Sequence, residues 1–316
     1  MIKKPIEKSR KLSKLEALIR RVHKSHSSYS KIERELSRNL AGYRGEKSFC
    51  YYLEEVDSQK YIIFHGLRLK HNDQYFQMDV VIISVVFILI IEVKNIAGTI
   101  FFDQELHQLI RKMEHLEEGF VDPIVQVQSQ SSEFTRWIKK LELPNVPVET
   151  LVVISNPSTI IKSNKQISHL VSHSSNFNRA LELLEKKYKQ ACYTKKDLQK
   201  LSSRLITKHI SHDPDVFELY QLDKNDIVRG VHCPKCSKIP MKRMLGKWCC
   251  DQCKYISKNA HVDSLKDYSL LVRPTITNEQ LREFLQLPSR SIATSILKSL
   301  KLESSGKNKG IIYRFN

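Results

Sequence analysis

The 316-residue sequence has no apolar run long enough to cross a bilayer and no apolar core near its N-terminus of the kind a secretion leader needs. Nothing in it suggests a membrane protein or a membrane partner, and a cytoplasmic location is expected. Cysteine is scarce and odd in number, seven in all, which argues against a disulfide framework and fits a reducing compartment. Acidic residues are in deficit, 34 Asp and Glu against 52 Lys and Arg. The deficit is confined to the ends: residues 1–40 hold 12 basic against 4 acidic side chains, residues 230–316 hold 16 against 6, and the stretch between is balanced at 24 each. Charge distributed in this way suits holding a polyanion through the two ends, the alternative being plain solubility. A hydrophobic content of 41% with 27% charged residues is ordinary for a soluble chain of two or three modules.

Glycine and proline are absent from the most apolar stretch, Val80 to Ile91, whose β-branched residues predict two strands joined by a tight turn near Ser84 and Val85. Such a hairpin brings Asp79 beside Glu92 and Lys94. The period of two places Glu92 and Lys94 on one face and Val93 on the other. Buried charge is costly unless paired or used to hold a metal. Two carboxylates supply the hard oxygens that Mg²⁺ prefers, and a neighbouring lysine can orient water or neutralise charge on a phosphate. The group therefore points to metal-assisted phosphodiester hydrolysis, although an isolated Glu-x-Lys is commonly a solvated pair. Gly42-Tyr43-Arg44-Gly45-Glu46 is expected to open a helix running to Glu55, and Asp122-Pro123-Ile124-Val125-Gln126 another running through Trp137 to Leu141.

The order and spacing of Gly45-Glu46, Asp79, Glu92-Val93-Lys94, Pro123 and Gln126 resemble the nuclease-related domain, NERD, of the PD-(D/E)xK nuclease superfamily, over residues 38–155. The resemblance implies a restriction-endonuclease-like α/β fold, a mixed sheet flanked by helices. It implies Asp79 and Glu92 as ligands of Mg²⁺ or Mn²⁺, with Lys94 orienting the attacking water or stabilising the transition state. Glu46 would assist the metal, and Gln126 would contact the phosphate or the metal's water. Met78 stands where the superfamily often has proline, a loose position.

Cys233-Pro234-Lys235-Cys236 and Cys250-Asp251-Gln252-Cys253 have the two-knuckle spacing of a zinc ribbon, a structural tetrathiolate Zn²⁺ site. Cys249 adjoins Cys250 and competes with it on sequence alone. Cys192 reads as a small buried residue, and His65, His71 and His107 stand alone and read as surface or core residues.

Leu12, Leu15, Leu18, Ile19 and Val22 recur at helical spacing among Lys11, Lys14, Arg20, Arg21 and Lys24, predicting a basic amphipathic helix that packs on the nuclease core or touches nucleic acid. Residues 177–191 and 195–210 read as helices without chemistry. Near the C-terminus, Thr277 caps a helix to Leu285, and a second follows from Ser289 to Leu300. With a wing tip at Gly306 to Lys309 and a strand from Ile311 to Phe315, this looks like a winged helix. Arg290, Ser291, Thr294 and Lys298 would face DNA while Ile292, Ile296 and Leu300 pack inward; winged helices also bind proteins.

The expected organisation is a basic helix (1–37), a NERD nuclease-like domain (38–155), a helical extension (156–229), a zinc ribbon (230–262) and a winged-helix-like domain (263–316). The leading expectation is a Mg²⁺-dependent nuclease with DNA, or alternatively RNA, as partner. Its rival is a nucleic-acid-binding regulator with an inactive nuclease-like core.

Overall fold

The computed structural model describes every residue except His115, Asn308, Lys309 and Asn316. The chain divides into two compact units, residues 1–8 with 39–212 and residues 9–38 with 213–316. The expected N-terminal segment 1–37 is therefore split. Strand β1 (Ile2–Lys4) belongs to the first unit, whereas helix α1 (Arg10–Arg21) and the first part of helix α2 (Tyr29–Glu54) belong to the second. Helix α2 begins thirteen residues before the expected start at Gly42. Gly42 and Gly45 both lie inside it; a Cβ on Gly45 would stand 2.5 Å from Asn95 Cβ and 2.7 Å from Ser155 Oγ, whereas one on Gly42 would meet nothing within 4 Å. Gly45 permits close packing of the helix rather than marking its end.

The first unit is a mixed α/β structure around a six-stranded sheet in the order β1-β2-β3-β4-β8-β10. Its further strands are β2 (Ile62–His71), β3 (Gln74–Ile83), β4 (Ile88–Lys94), β8 (Val148–Ile154) and β10 (Val171–His173). A second, four-stranded sheet contains β5 (Thr99–Asp103), β6 (Gln108–Met113), β7 (Leu116–Val121) and β9 (Ile160–Ser163). The hairpin of β3 and β4 turns at Ser84, whose hydroxyl donates to the Phe87 carbonyl (2.8 Å), and pairs Val80–Ile83 with Ile91–Ile88.

Strand β4 is flanked by β3 (antiparallel) and β8 (parallel), and Ile88 through Val93 are buried, as a strand covered on both faces requires. Ile88 and Ile90 pack with Phe134 and Trp137 of helix α3 (Pro123–Lys139) and with Leu201 and Leu205 of helix α5 (Lys195–Lys208). Leu89 and Ile91 pack on the other face with Phe49 of α2 and Phe177 of helix α4 (Phe177–Lys187). Each fully buried side chain of this kind contributes about 1.5–3 kcal/mol. Helices α4 and α5 are thus part of this unit's core, not an extension of it.

In the second unit, α1 supplies Leu15, Leu18 and Val22 to a core shared with Leu265, Tyr268 and Leu271 of helix α7 (Ala260–Leu271). The core that α1 joins is thus that of the second unit. The cations of α1 are already partnered: Lys11 with Glu35 (2.5 Å), Arg10 and Lys14 with Asp213 (2.9 and 2.5 Å), and Arg20 and Arg21 with Asp267 (2.6 and 2.9 Å). Arg21 is fully buried and also donates to the carbonyls of Val228 and Gly230. Burying it this way is tolerable because ion pair and carbonyls together satisfy the guanidinium. Helix α6 (Val216–Tyr220) adds Val216 and Tyr220 to the same core.

A three-stranded antiparallel sheet of β11 (Lys242–Met244), β12 (Lys247–Cys249) and β13 (Ile256–Ser257) carries the cysteine knuckles. Another, ordered β14-β16-β15, joins β14 (Thr275–Ile276), β15 (Glu303–Ser305) and β16 (Ile312–Arg314). Helices α8 (Asn278–Leu285) and α9 (Arg290–Ser299) are capped by Thr277 and Ser289. The inward face of α9 is Ala293, Ile296 and Leu297, with Ile292 and Leu300 only half-buried. Thr294 does not face solvent freely as expected: its hydroxyl accepts from Asn278 Nδ2 (3.0 Å) and donates to the Arg290 carbonyl. Of the expected wing tip, Asn308 and Lys309 lie outside the described residues.

Candidate active site and thiolate cluster

Glu92 is the centre of the first site. It stands near the end of β4 with only 3% of its surface exposed. Three side chains donate to its carboxylate: Lys94 Nζ (2.7 Å) and Gln126 Nε2 (2.7 Å) to Oε1, and Gln130 Nε2 (2.9 Å) to Oε2. Lys94 Nζ also donates to Gln126 Oε1 (3.0 Å). The glutamines come from α3, which Asp122 caps by accepting from Ile124 N (2.8 Å) with Pro123 in the first turn. Their spacing of four puts both amides on one helical face, above β4. Gln130 is absent from the sequence-based site. The signal was an amide one turn beyond Gln126 on an otherwise apolar face, and its own Oε1 is buried without a partner.

Asp79 lies within β3 rather than at its outer end. Pairing of β2 with β3 runs from His65–Val80 to Leu67–Met78, and leaves Gly66, at φ +57°, opposite Asp79. The irregularity takes Asp79 out of the ladder, and its Oδ2 accepts the Val93 N–H of β4 (2.9 Å). Burial first, then the charges of Glu92 and Glu46, hold the Asp79 carboxyl well above its ordinary range, against the opposing pull of the Val93 N–H and Lys94. Glu46, on α2, is pushed up to about 7 by burial and by Glu92, with Lys4 of β1 working the other way. Lys4, a second residue missing from the sequence-based site, had no local signal.

Glu46, Asp79, Glu92, Lys94 and Gln126 are therefore brought into one electrostatic neighbourhood. Among the described residues, however, the three acids do not converge as a tight ligand set. Glu92 and Glu46 both act on Asp79 through charge. Hard carboxylate oxygens of this kind are a donor set suited to a divalent cation such as Mg²⁺.

The second site does converge. The Sγ atoms of Cys233, Cys236, Cys250 and Cys253 lie within 4.8 Å of one another. Cys233 and Cys253 are 3.5 Å apart and Cys236 and Cys250 3.6 Å, near the roughly 3.8 Å that a tetrahedron of 2.3 Å Zn–S bonds demands. The two knuckles repeat one backbone design. Cys233 N donates to the Lys238 carbonyl and Cys250 N to that of Tyr255; Ser237 and Lys254, each four residues after its leading cysteine, both have φ +58°. Backbone N–H groups of Cys253 and Gln252 bring the Cys250 thiol down to about 7. Cys249 belongs to β12, adjoins the inward-facing Trp248 and stands outside the cluster, so Cys250 is the member that converges. A closed thiolate set fits structural Zn²⁺.

Elsewhere, Cys192 is half-exposed, not buried, since Tyr193 takes the core position beside it. His65 is buried, His71 pairs with Glu133 (2.7 Å) and His107 is exposed. Among the described residues no helix is long and apolar enough to cross a membrane. No curated protein and no solved structure matches the chain. Residues 41–155 match the family model of the nuclease-related domain, NERD, a stretch that includes Glu46, the β3–β4 hairpin and α3.

Proposed function

We propose that the protein is a divalent-metal-dependent nuclease that hydrolyses phosphodiester bonds of DNA. The observation that carries this reading is Glu92, a buried carboxylate clamped by Lys94, Gln126 and Gln130 beside a second carboxylate, Asp79. Asp79 and Glu92 would hold Mg²⁺ or Mn²⁺, which when bound lowers the pKa of water and offsets charge on phosphate oxygens. The two glutamines and Lys94 fix the orientation of Glu92 by donating to its carboxylate. Lys94 spends two of its three protons on Glu92 and Gln126 and has one left for a phosphate oxygen or for the attacking water. Water adds to phosphorus and the P–O bond to the leaving nucleotide breaks. Glu46, poised near 7, can take up a proton nearby.

The second unit would bind nucleic acid. Its zinc ribbon would be structural, and a winged-helix-like α8–α9 module would offer Arg290, Ser291 and Lys298, all exposed, to DNA. Incubating the protein with linear, circular and single-stranded DNA and with RNA, with and without Mg²⁺, tests the proposal. Mg²⁺-dependent shortening of DNA is expected. Binding without cleavage under every condition would replace the enzyme by a regulator.

A further inference from the structure

Helix α5 carries Lys196, Lys200, Arg204 and Lys208 at successive intervals of four residues, all exposed. Like charges at that spacing lie side by side and destabilise a helix by a few tenths of a kcal/mol per pair. The helix has one acid, Asp197, which is occupied by its N-terminal capping box with Thr194. Among the described residues, no carboxylate forms an ion pair with Lys196, Lys200, Arg204 or Lys208. Lys200 donates to the Leu141 carbonyl just beyond α3 (3.1 Å). A cleft of about 370 Å³ opens beside Arg204 and Lys208, lined also by Lys70, Trp137 and Lys140 and by no acid. Lys140 reaches a neutral partner, Asn72 Oδ1 (3.1 Å), and Lys70 has a solvent-exposed contact with Asp73 at 3.5 Å.

The cleft is joined to the acidic site by one helix. Gln126, Gln130, Glu133 and Trp137 form a single stripe along α3, and Lys140 follows at its C-terminal cap. The one acid on that stripe, Glu133, is engaged by His71 and Arg136, both at 2.7 Å. At 1.5 Å per residue, Lys140 lies roughly 15 Å along the helix from Gln130, or four to five steps of a duplex strand at 3.4 Å each. We infer that the α5 stripe and the cleft at the end of α3 form a track for the phosphodiester backbone of nucleic acid, built into the first unit and leading from the acidic site. The inference rests on the nuclease reading for its class of ligand. It relocates part of the polyanion-holding charge: the expected basic helix at the N-terminus has spent its cations internally, whereas α5, in the stretch of balanced charge, has not.

The test compares full-length R204Q/K208Q with K186Q/K189Q, which removes the same charge from exposed positions on and just after α4. Binding of a fluorescent DNA duplex is measured over a salt series without divalent cations, with thermal melting as the check on folding. Each phosphate contact contributes about 0.9 to the slope of log affinity against log salt. R204Q/K208Q should lower that slope by about two and weaken low-salt binding by about tenfold or more, with an unchanged melting curve. K186Q/K189Q should leave the slope close to wild type. Equal slopes for both variants, or an equal decrease in both, would overturn the track. Vesicles of anionic phospholipid form a further arm: loss of vesicle binding in R204Q/K208Q with duplex binding unaltered would reassign the surface to lipid. Failure of the wild-type protein to cut DNA with Mg²⁺ would remove the nuclease reading and leave the slope comparison standing.

Discussion

The two candidate metal sites answer the same electrostatic problem in opposite ways. In the thiolate cluster four soft ligands converge on one point, and the knuckles aim backbone N–H groups at them. Four thiol ligands complete a tetrahedral set, and no coordination position is left for a substrate. In the acidic site the ligands are hard and fewer, and they crowd one another enough to raise the proton affinity of Asp79 and Glu46. Its donors, Lys94 and two glutamines, hold one carboxylate in place rather than complete a coordination sphere. A closed set suits stability, and an open, strained one suits chemistry.

The largest expected effect tests the closed half of this contrast. Structural zinc contributes an apparent 10–16 kcal/mol or so in small domains, and the cluster here adjoins the core of the second unit through Trp248 and Cys250. Cys233→Ser or Cys253→Ser should abolish the roughly one equivalent of zinc expected by metal analysis and melt the second unit's near-ultraviolet circular dichroism. Cys249→Ser and Cys192→Ser should retain both zinc and signal. Zinc that survives Cys233→Ser would mean the cluster is not the metal site.

The open half is tested next. Asp79→Ala, Glu92→Ala and Lys94→Ala should each cut the cleavage rate by about 10³-fold or more while leaving duplex binding in place. Wild-type rates in all three variants would dissolve the comparison, because the acids would then be structural.

pH should separate the sites by sign. The Glu46 carboxyl is raised from 4.5 to about 7 in the folded protein, so its contribution is fully favourable below 4.5 and is lost as pH rises through 7. Without added Mg²⁺, Glu46→Gln should therefore melt like wild type near pH 4.5 and higher than wild type above pH 7. Mg²⁺ should narrow the gap. Zinc retention should run the other way, falling as acid protonates the thiolates. Parallel behaviour of the two sites would show that burial and the charge of Glu92 do not raise the Glu46 carboxyl.

Gln130→Ala carries the smallest effect. Removing a residue that orients a ligand typically costs 10–100-fold in activity or metal affinity, so the loss should fall short of that from Glu92→Ala. Gln130→Glu should be worse than Gln130→Ala, since it sets a third acid against Glu92.

How much of this was legible in the sequence follows the range of the interactions. The β3–β4 hairpin, the start of α3 at Asp122 and Pro123, and the pairing of the cysteine knuckles are written in a few consecutive residues, where strand period, cap chemistry and ligand spacing are decisive. What escaped depends on partners far away in the chain. Gly45 looked like a helix start because glycine usually interrupts helices, yet it is there for Asn95 and Ser155. The cations of α1 looked free because Asp213 and Asp267 lie about 200 and 250 residues on. Gln130 needed the position of Glu92 above it to be recognised, and α5 looked featureless until its cations proved to form no ion pair among the described residues.

The burial of Arg21 against Asp267 has a consequence in time. These residues are 246 positions apart, and a ribosome adding about 5–20 residues per second needs roughly 12–50 s to make the second after the first. Throughout that interval Leu15, Leu18 and Arg21 exist without the surfaces that house them, while every strand of the first unit's large sheet is already being synthesised. The second unit, whose first segment precedes most of the first unit and whose remainder follows it, is thus the later of the two to close. A nascent chain of this protein should spend its synthesis with an apolar, cationic helix on offer to chaperones, and any premature stop before Asp267 should leave it so.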